Sequence, residues 1–189
     1  NLYYMRYKDQ LVLTGQLNDV GAPLRANVGD SYRTGLEIDA DLRISPRLRW
    51  QPNIALSINR NVDYFFRRDG ELTSLGDTEI AYSPGVVAGS RLVWSPAEDL
   101  QLGVLTKYVG DQYMSNIEAE GSRLEAYSQT DLNVQYRIPA SGGFPEITLT
   151  GLVNNLFDAK FSSNGYFYTY DDDFSNPGVV TTIEGAGYY

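Results

Sequence analysis

From Leu36 to Ile44 every even position is apolar or small (Leu36, Ile38, Ala40, Leu42, Ile44) and every odd one is charged (Glu37, Asp39, Asp41, Arg43). Such period-two alternation is the signature of a strand with one apolar and one polar face. After Ser45-Pro46-Arg47 it resumes, with Leu48, Trp50, Ile54, Leu56 and Ile58 set against Arg49, Gln51, Asn53, Ser57 and Asn59. The short Pro-containing connection reads as a hairpin turn. A second pair flanks Ser95 to Asp99: Val86, Ala88, Leu92 and Trp94 precede it, and Leu100, Leu102, Val104 and Tyr108 follow. A third flanks Pro139 to Pro145, with Leu132, Val134, Tyr136 and Ile138 before it and Ile147, Leu149, Gly151 and Val153 after. Leu105, Val109 and Leu152 break the pattern by falling on the polar faces. With an opening run near 2–14 the sequence predicts seven strands. Polar, Gly/Asn/Asp- and Tyr-rich connections are expected at 15–29, 60–83, 111–125 and 155–189, so short and long connections alternate. No helical period, linker or low-complexity tract is present.

Two architectures produce this alternation: an antiparallel sandwich with one face inward, and a transmembrane barrel with one face toward lipid. Full charges in mid-strand, opposite faces rich in Leu, Ile, Val and Trp, and strand lengths near those that cross a bilayer at a tilt favour the barrel. Trp50 and Trp94 lie close to short turns, and Tyr108 and Tyr136 sit on apolar faces, as an interfacial aromatic girdle requires.

Composition removes most catalytic chemistry. The chain has 189 residues, no Cys and no His, which excludes disulfides, thiolate and His-based catalysis and the commonest metal sites. A net charge of −9 without a basic tract excludes nucleic acid as a partner. No apolar run is long enough for a transmembrane helix. Asp39 and Asp41 share a strand face about 6 to 7 Å apart, but no apolar pocket that would raise a carboxyl pKa is visible around them, so a glycosidase is not expected. The chain reads as a non-enzyme without a metal or cofactor. It opens on Asn1, inside a strand-like run, and is expected to be a piece of something longer.

Three stretches then carry a family resemblance. Tyr7-Lys8-Asp9-Gln10-Leu11-Val12 resembles a strand-end motif of TonB-dependent outer-membrane receptors, and Asn27 to Glu37 looks like the start of that family's next strand. Asn154-Asn155-Leu156-Phe157-Asp158-Ala159-Lys160-Phe161 is similar to the Asn-Leu-Phe-Asp segment before the family's last extracellular loop. The resemblance implies an all-β, antiparallel transmembrane barrel fragment, about seven strands of a barrel of about 22, with long extracellular loops and short periplasmic turns. Residues 1–189 would be the C-terminal portion of that barrel, with the plug domain and closing strand absent and Tyr188-Tyr189 in the loop or at the start of that strand.

It further implies an outer-membrane receptor that imports a scarce ligand of the iron-siderophore, haem, cobalamin or glycan class, energised through TonB. Its expected partners are outer-membrane lipid, the rest of the barrel and plug, the TonB complex by way of the plug, and the small-molecule ligand. A passive porin-like barrel and a soluble carbohydrate-binding sandwich are the alternatives. Even-numbered apolar residues would face lipid. Glu37, Asp39, Asp41, Arg43, Arg49, Arg91, Arg137 and Glu146 would line the lumen as a ladder of interstrand and plug-facing pairs. For ligand contact the candidates are Tyr166, Tyr168, Tyr170, Asp171 and Asp172: rings able to stack beside carboxylates able to hold a cation, in spacing that matches no calcium loop.

Overall fold

The computed structural model describes residues 1–17 and 23–189. In chain order the strands are β1 (Leu2–Tyr7), β2 (Gln10–Leu17), β3 (Pro23–Val28), β4 (Ser31–Asp39), β5 (Leu42–Ser45) and β6 (Leu48–Asn61). Next come β7 (Phe65–Arg68), β8 (Glu71–Ser74), β9 (Thr78–Glu79), β10 (Val86–Ala97), β11 (Leu100–Val109) and β12 (Gln112–Tyr113). The last five are β13 (Arg123–Leu124), β14 (Tyr127–Ile138), β15 (Ile147–Val153), β16 (Gly165–Asp172) and β17 (Thr181–Tyr188).

The main sheet runs in the order β1-β4-β6-β10-β11-β14-β15, an antiparallel meander through the seven expected strands. β5 continues β4 in one register, since Asp39 faces Asn53 and Leu42 faces Trp50. The break between them has a local cause. Ala40 donates its N–H to the Pro52 carbonyl at 3.0 Å, but Pro52 has no N–H to return.

Directly opposed residues share a face. The register therefore joins Leu36 to Leu2 and Leu56, Ile38 to Ile54, Trp50 to Leu92, Trp94 to Leu102, Val104 to Leu132 and Tyr136 to Leu149. One continuous apolar face results, and nothing covers it: Ile38 is 52%, Ile44 57% and Leu149 55% exposed. A sandwich would bury that face under a second sheet, so the sandwich reading is excluded. β10 and β14 have 12 residues each and β11 has 10, enough to cross about 30 Å of hydrocarbon when tilted.

The other face is polar. Arg49 pairs with Asp41, and Arg137 bridges Asp99 at 3.0 Å and Glu146 at 3.8 Å. Glu37, Asp39, Arg43 and Arg91 make no ion pair among the described residues, so the expected ladder is realised only in part. Leu105, Val109 and Leu152 do fall on this face, opposite Asp131, Tyr127 and Asn133.

The three short turns lie at one end of the sheet and the long connections at the other. Three of those connections are more ordered than the sequence reading expected. β2 and β3 prolong the β1/β4 hairpin without a change of register, because Tyr7 faces Ser31 and Gln10 faces Val28. Only Lys8, a positive φ at Asp9 (50°), Gly29 and Asp30 interrupt it. The region 15–29 is thus largely strand, and its part at 18–22 lies outside the described residues. Within 60–83, β7 and β8 form a hairpin closed by Asp69 (φ 52°) and Gly70 (φ 81°), the left-handed pair of a two-residue turn. Within 155–189, β16 and β17 form another hairpin, in which Tyr188 ends β17 opposite Gly165.

Candidate functional site

The buried side chains gather at the long-connection end. Tyr64, Phe66 and Ile117 form a core against which Ala119 and Phe167 pack, with Ile80, Met114 and Leu124 also buried. Burial pushes the Tyr64 phenol above its ordinary pKa, opposed by a hydrogen bond with Asn116. Fully buried Asn61 donates to Thr78 Oγ1 at 3.2 Å and Asn116 Oδ1 at 3.3 Å, tying β6 to two connections at once. Arg60 reaches Glu118 at 3.1 Å and Glu79 at 3.4 Å. The loops therefore make a built cap.

The β16/β17 hairpin lies on this cap, and its alternation decides which side chains are free. Phe167 and Thr169 turn toward the cap. Tyr166, Tyr168 and Tyr170 share the opposite face. Their ring centroids are 6.3 and 6.5 Å apart and adjacent planes are within 18° and 14° of parallel. On β17 the positions opposite Tyr168 and Tyr166 are Gly185 and Gly187, where a Cβ would run into the two rings. The tyrosines thus tile across the neighbouring strand as one aromatic surface.

The candidate carboxylates do different work. Asp171 accepts from Thr182 Oγ1 at 2.9 Å, across the hairpin. Asp172 accepts from the N–H groups of Ser175 at 3.0 Å and Phe174 at 3.3 Å, capping the turn that leaves β16. Hydrogen bonds from Ser175 hold the Asp172 carboxyl below the ordinary aspartate value, against a smaller opposing effect of burial. The structure brings the three tyrosines together and ties these two aspartates into the hairpin. No group of three or more acidic side chains arranged to hold a metal occurs among the described residues.

Other contacts fasten the hairpin to the cap. Tyr82 Oη donates to the Gly165 carbonyl at 2.8 Å, and Tyr188 Oη to the Gly121 carbonyl at 2.6 Å. The β7/β8 turn docks on β17: Asp69 N–H donates to Thr182 Oγ1 at 2.7 Å, Thr182 N–H to Asp69 Oδ1 at 2.8 Å, and Arg68 pairs with Glu184 at 2.7 Å. The sequence reading missed this contact, although Asp69-Gly70 is a strong hairpin signal.

The Asn-Leu-Phe-Asp segment forms a clamp. Asn155 (φ 51°) exchanges side-chain hydrogen bonds with both backbone groups of Ala159 at 2.9 Å, and its own N–H donates to Asp131 at 2.8 Å. Phe161 then stacks on Tyr127, centroids 4.1 Å apart and planes within 5°.

A second feature opens on the polar face of the main sheet, just below the cap. It is a cavity of about 490 Å³ lined by Tyr3, Met5, Arg33, Glu37, Asn59 and Tyr82, among others. Of these only Glu37 was singled out from sequence, as a lumen charge, since the contributing segments lie far apart in the chain.

A family model described as TonB dependent receptor-like, beta-barrel, matches residues 1–156. Among solved structures the chain is similar to the ferric yersiniabactin uptake receptor FyuA of Yersinia pestis, at 18% identity and TM-score 0.60 over 97% of this chain and 24% of that one. It is also similar to the ferric-catecholate import receptor Fiu of E. coli K12, at 16% identity and TM-score 0.63 over 99% of this chain and 23% of that one. The siderophore receptor PiuA of Acinetobacter baumannii gives 17% identity and TM-score 0.61, over 99% of this chain and 24% of that one. The chain spans about a quarter of the length of these structures. No curated protein matches it.

Proposed function

The chain belongs to the TonB-dependent receptor β-barrel family of the outer membrane, and from that premise we propose that it forms part of the wall of a receptor importing a scarce small-molecule ligand, energised through TonB. The supporting observation is the division of the main sheet: an uncovered apolar face for lipid, a charged face for a lumen, and a packed loop cap at one end only. In this reading the cap faces outside and the turns at Ser45 to Arg47, Ser95 to Asp99 and Pro139 to Pro145 face the periplasm, following the general barrel rule. A plug domain and a closing strand complete the receptor.

Of the four ligand classes, iron-siderophore is the first to test, because the three similar solved proteins are siderophore or ferric-complex receptors. Tyr166, Tyr168 and Tyr170 are proposed to meet the ligand by ring stacking, while Asp171 and Asp172 hold their hairpin in shape. The deciding experiment is uptake of labelled ferric siderophores under iron limitation, in cells with and without the intact receptor and with and without TonB. Uptake that needs both supports the proposal. Uptake that needs the receptor but not TonB marks a passive barrel.

A further inference from the structure

Asn164 is the only asparagine of the chain that precedes a glycine. It stands at the base of the β16/β17 hairpin and is exposed, while Gly165 beside it is buried. Asn164 and Tyr189 exchange backbone hydrogen bonds at 3.1 and 2.9 Å, continuing the β16/β17 ladder by one pair. Beside such a pair the next N–H points away from the partner strand. The Gly165 N–H accordingly turns to the side chain before it and donates to Asn164 Oδ1 at 2.9 Å. An exposed carboxamide thus touches the one kind of backbone nitrogen whose own residue has no side chain to shield it.

Two restraints hold these groups short of reaction. For Gly165 N to reach Asn164 Cγ, the backbone must rotate about the Asn164 Cα–C bond, and the paired hydrogen bonds to Tyr189 oppose that rotation. The second restraint is Tyr82, whose Oη donates to the Gly165 carbonyl at 2.8 Å. Tyr82 itself has a left-handed backbone, φ 53°. Such a conformation persists in a bulky residue only where the surroundings impose it. Here the Ala81 N–H donates to Asn116 Oδ1 at 2.9 Å and the Tyr82 N–H to the Tyr113 carbonyl at 2.8 Å. The hairpin base is therefore clamped from the cap side by a strained residue through a single neutral hydrogen bond.

We propose that Asn164-Gly165 is a site of spontaneous deamidation, gated by release of the hairpin base from Tyr82 and Tyr189. Once the base opens, Gly165 N bonds to Asn164 Cγ and the Cγ–Nδ2 bond breaks. The leaving amide nitrogen takes the proton from Gly165 N and departs as ammonia, and a succinimide ring remains. Water then opens the ring. Cleavage of the new N–Cγ bond leaves aspartate, whereas cleavage of the original peptide bond leaves isoaspartate, in which the main chain runs through Cβ and Cγ and is one carbon longer. Both products carry a new carboxylate. The joint has no room for the longer chain, since even a Cβ on Gly165 would meet the Gly187 carbonyl and, at 2.6 Å, the Met114 sulfur. The isoaspartyl form therefore loosens the hairpin that carries the tyrosine tile.

The test incubates the intact receptor in detergent, in warm and mildly alkaline buffer, and follows each asparagine by peptide mass spectrometry with fragmentation that separates aspartate from isoaspartate. Asn164 should convert ahead of every other asparagine of this chain, and Asn164→Gln should leave the position unmodified. Tyr82→Phe keeps the ring but removes the bond to Gly165, and should speed conversion about 2- to 10-fold, the loss of one neutral hydrogen bond. Arg68→Gln, which releases Glu184 farther along the hairpin, should change the rate less than about twofold, as expected of an exposed ion pair. Heat-modifiable migration in gels is the folding control. Should Y82F fail it, Tyr188→Phe, which removes the bond to the Gly121 carbonyl, is read in its place. Aged receptor should be cut between 170 and 178 faster than fresh receptor and faster than Asn164→Asp, which adds the charge without lengthening the chain. Conversion at Asn164 no faster than elsewhere would overturn the site, and an unchanged rate in the folded hydroxyl-deleted variant would overturn the gate.

Discussion

Tyr168 on β16 stands opposite Gly185 on β17, and its ring occupies the space a Gly185 side chain would need. Tyr166 and Gly187 repeat the arrangement one step along the strand. Glycine is required there for room, not for backbone conformation. In Gly185→Val the displaced atoms are the far end of a tyrosine that is free to swing outward, so stability should change by less than about 1 kcal/mol. The tile should nevertheless break. Near-ultraviolet circular dichroism should lose part of its tyrosine signal, and ligand affinity should fall with unfolding unchanged; full affinity in this variant would mean the tile is not a contact surface.

Gly165 is the instructive contrast. A Cβ there would meet the Gly187 carbonyl and, at 2.6 Å, the Met114 sulfur beneath the hairpin. Backbone cannot swing aside, so Gly165→Ala should cost about 1 to 3 kcal/mol of cap stability. Proteolysis between 170 and 178 should then run faster than in G185V.

The apolar face makes its own demand. Ile38 faces Ile54 across β6, and both lie on the face assigned to lipid. Ile38→Arg should cost about 2 to 4 kcal/mol of barrel stability if the position is near mid-membrane. Cysteine at Ile38 or Val134 should resist water-soluble thiol reagents, and cysteine at Asp39 or Gln135 should react wherever the lumen admits the reagent. The reverse labelling pattern would invert the faces.

At the hairpin, acid should act on Asp172. Its folded-state pKa is lowered, chiefly by the Ser175 hydrogen bonds. A lowered carboxyl contributes stability that is present above the unfolded value of about 3.9 and is lost as pH falls through the folded value. Amide exchange at Phe174 and Ser175 should therefore speed up, relative to its intrinsic rate, only below about pH 4. In Asp172→Ala that acid-dependent step should vanish.

The strands and their faces were readable because alternation is a one-dimensional signal, and cross-strand register merely aligned it: Leu36, Ile38 and Trp50 found apolar neighbours as period two required. The cap was less readable. Asp69-Gly70 and the alternating Tyr166, Tyr168 and Tyr170 carried local hairpin signals inside segments whose polarity suggested open loops. The docking of Asp69 on Thr182 joins residues 113 positions apart, and nothing local marks it. The cavity on the polar face was hidden for a related reason: Arg33, Asn59, Tyr82 and Ser83 come together there only across segments far apart in the chain.

The edges of the main sheet determine what the chain does alone. β1 and β15 end the order of strands, and the sheet does not close between them. β15 is exposed along its whole length. Seven antiparallel neighbours alternate in direction, so β1 and β15 run parallel to each other and cannot be joined as even-numbered bacterial barrels close. Each edge presents N–H and C=O groups without partners, which in hydrocarbon cost several kcal/mol apiece. The two edges need neighbouring strands from the rest of a receptor barrel. Expressed by itself with an export signal, residues 1–189 should aggregate or be degraded, and should not restore ligand uptake to a receptor-deficient strain. A monodisperse, protease-resistant, heat-modifiable monomer in detergent would show that the sheet satisfies its own edges and that the chain is a barrel in its own right.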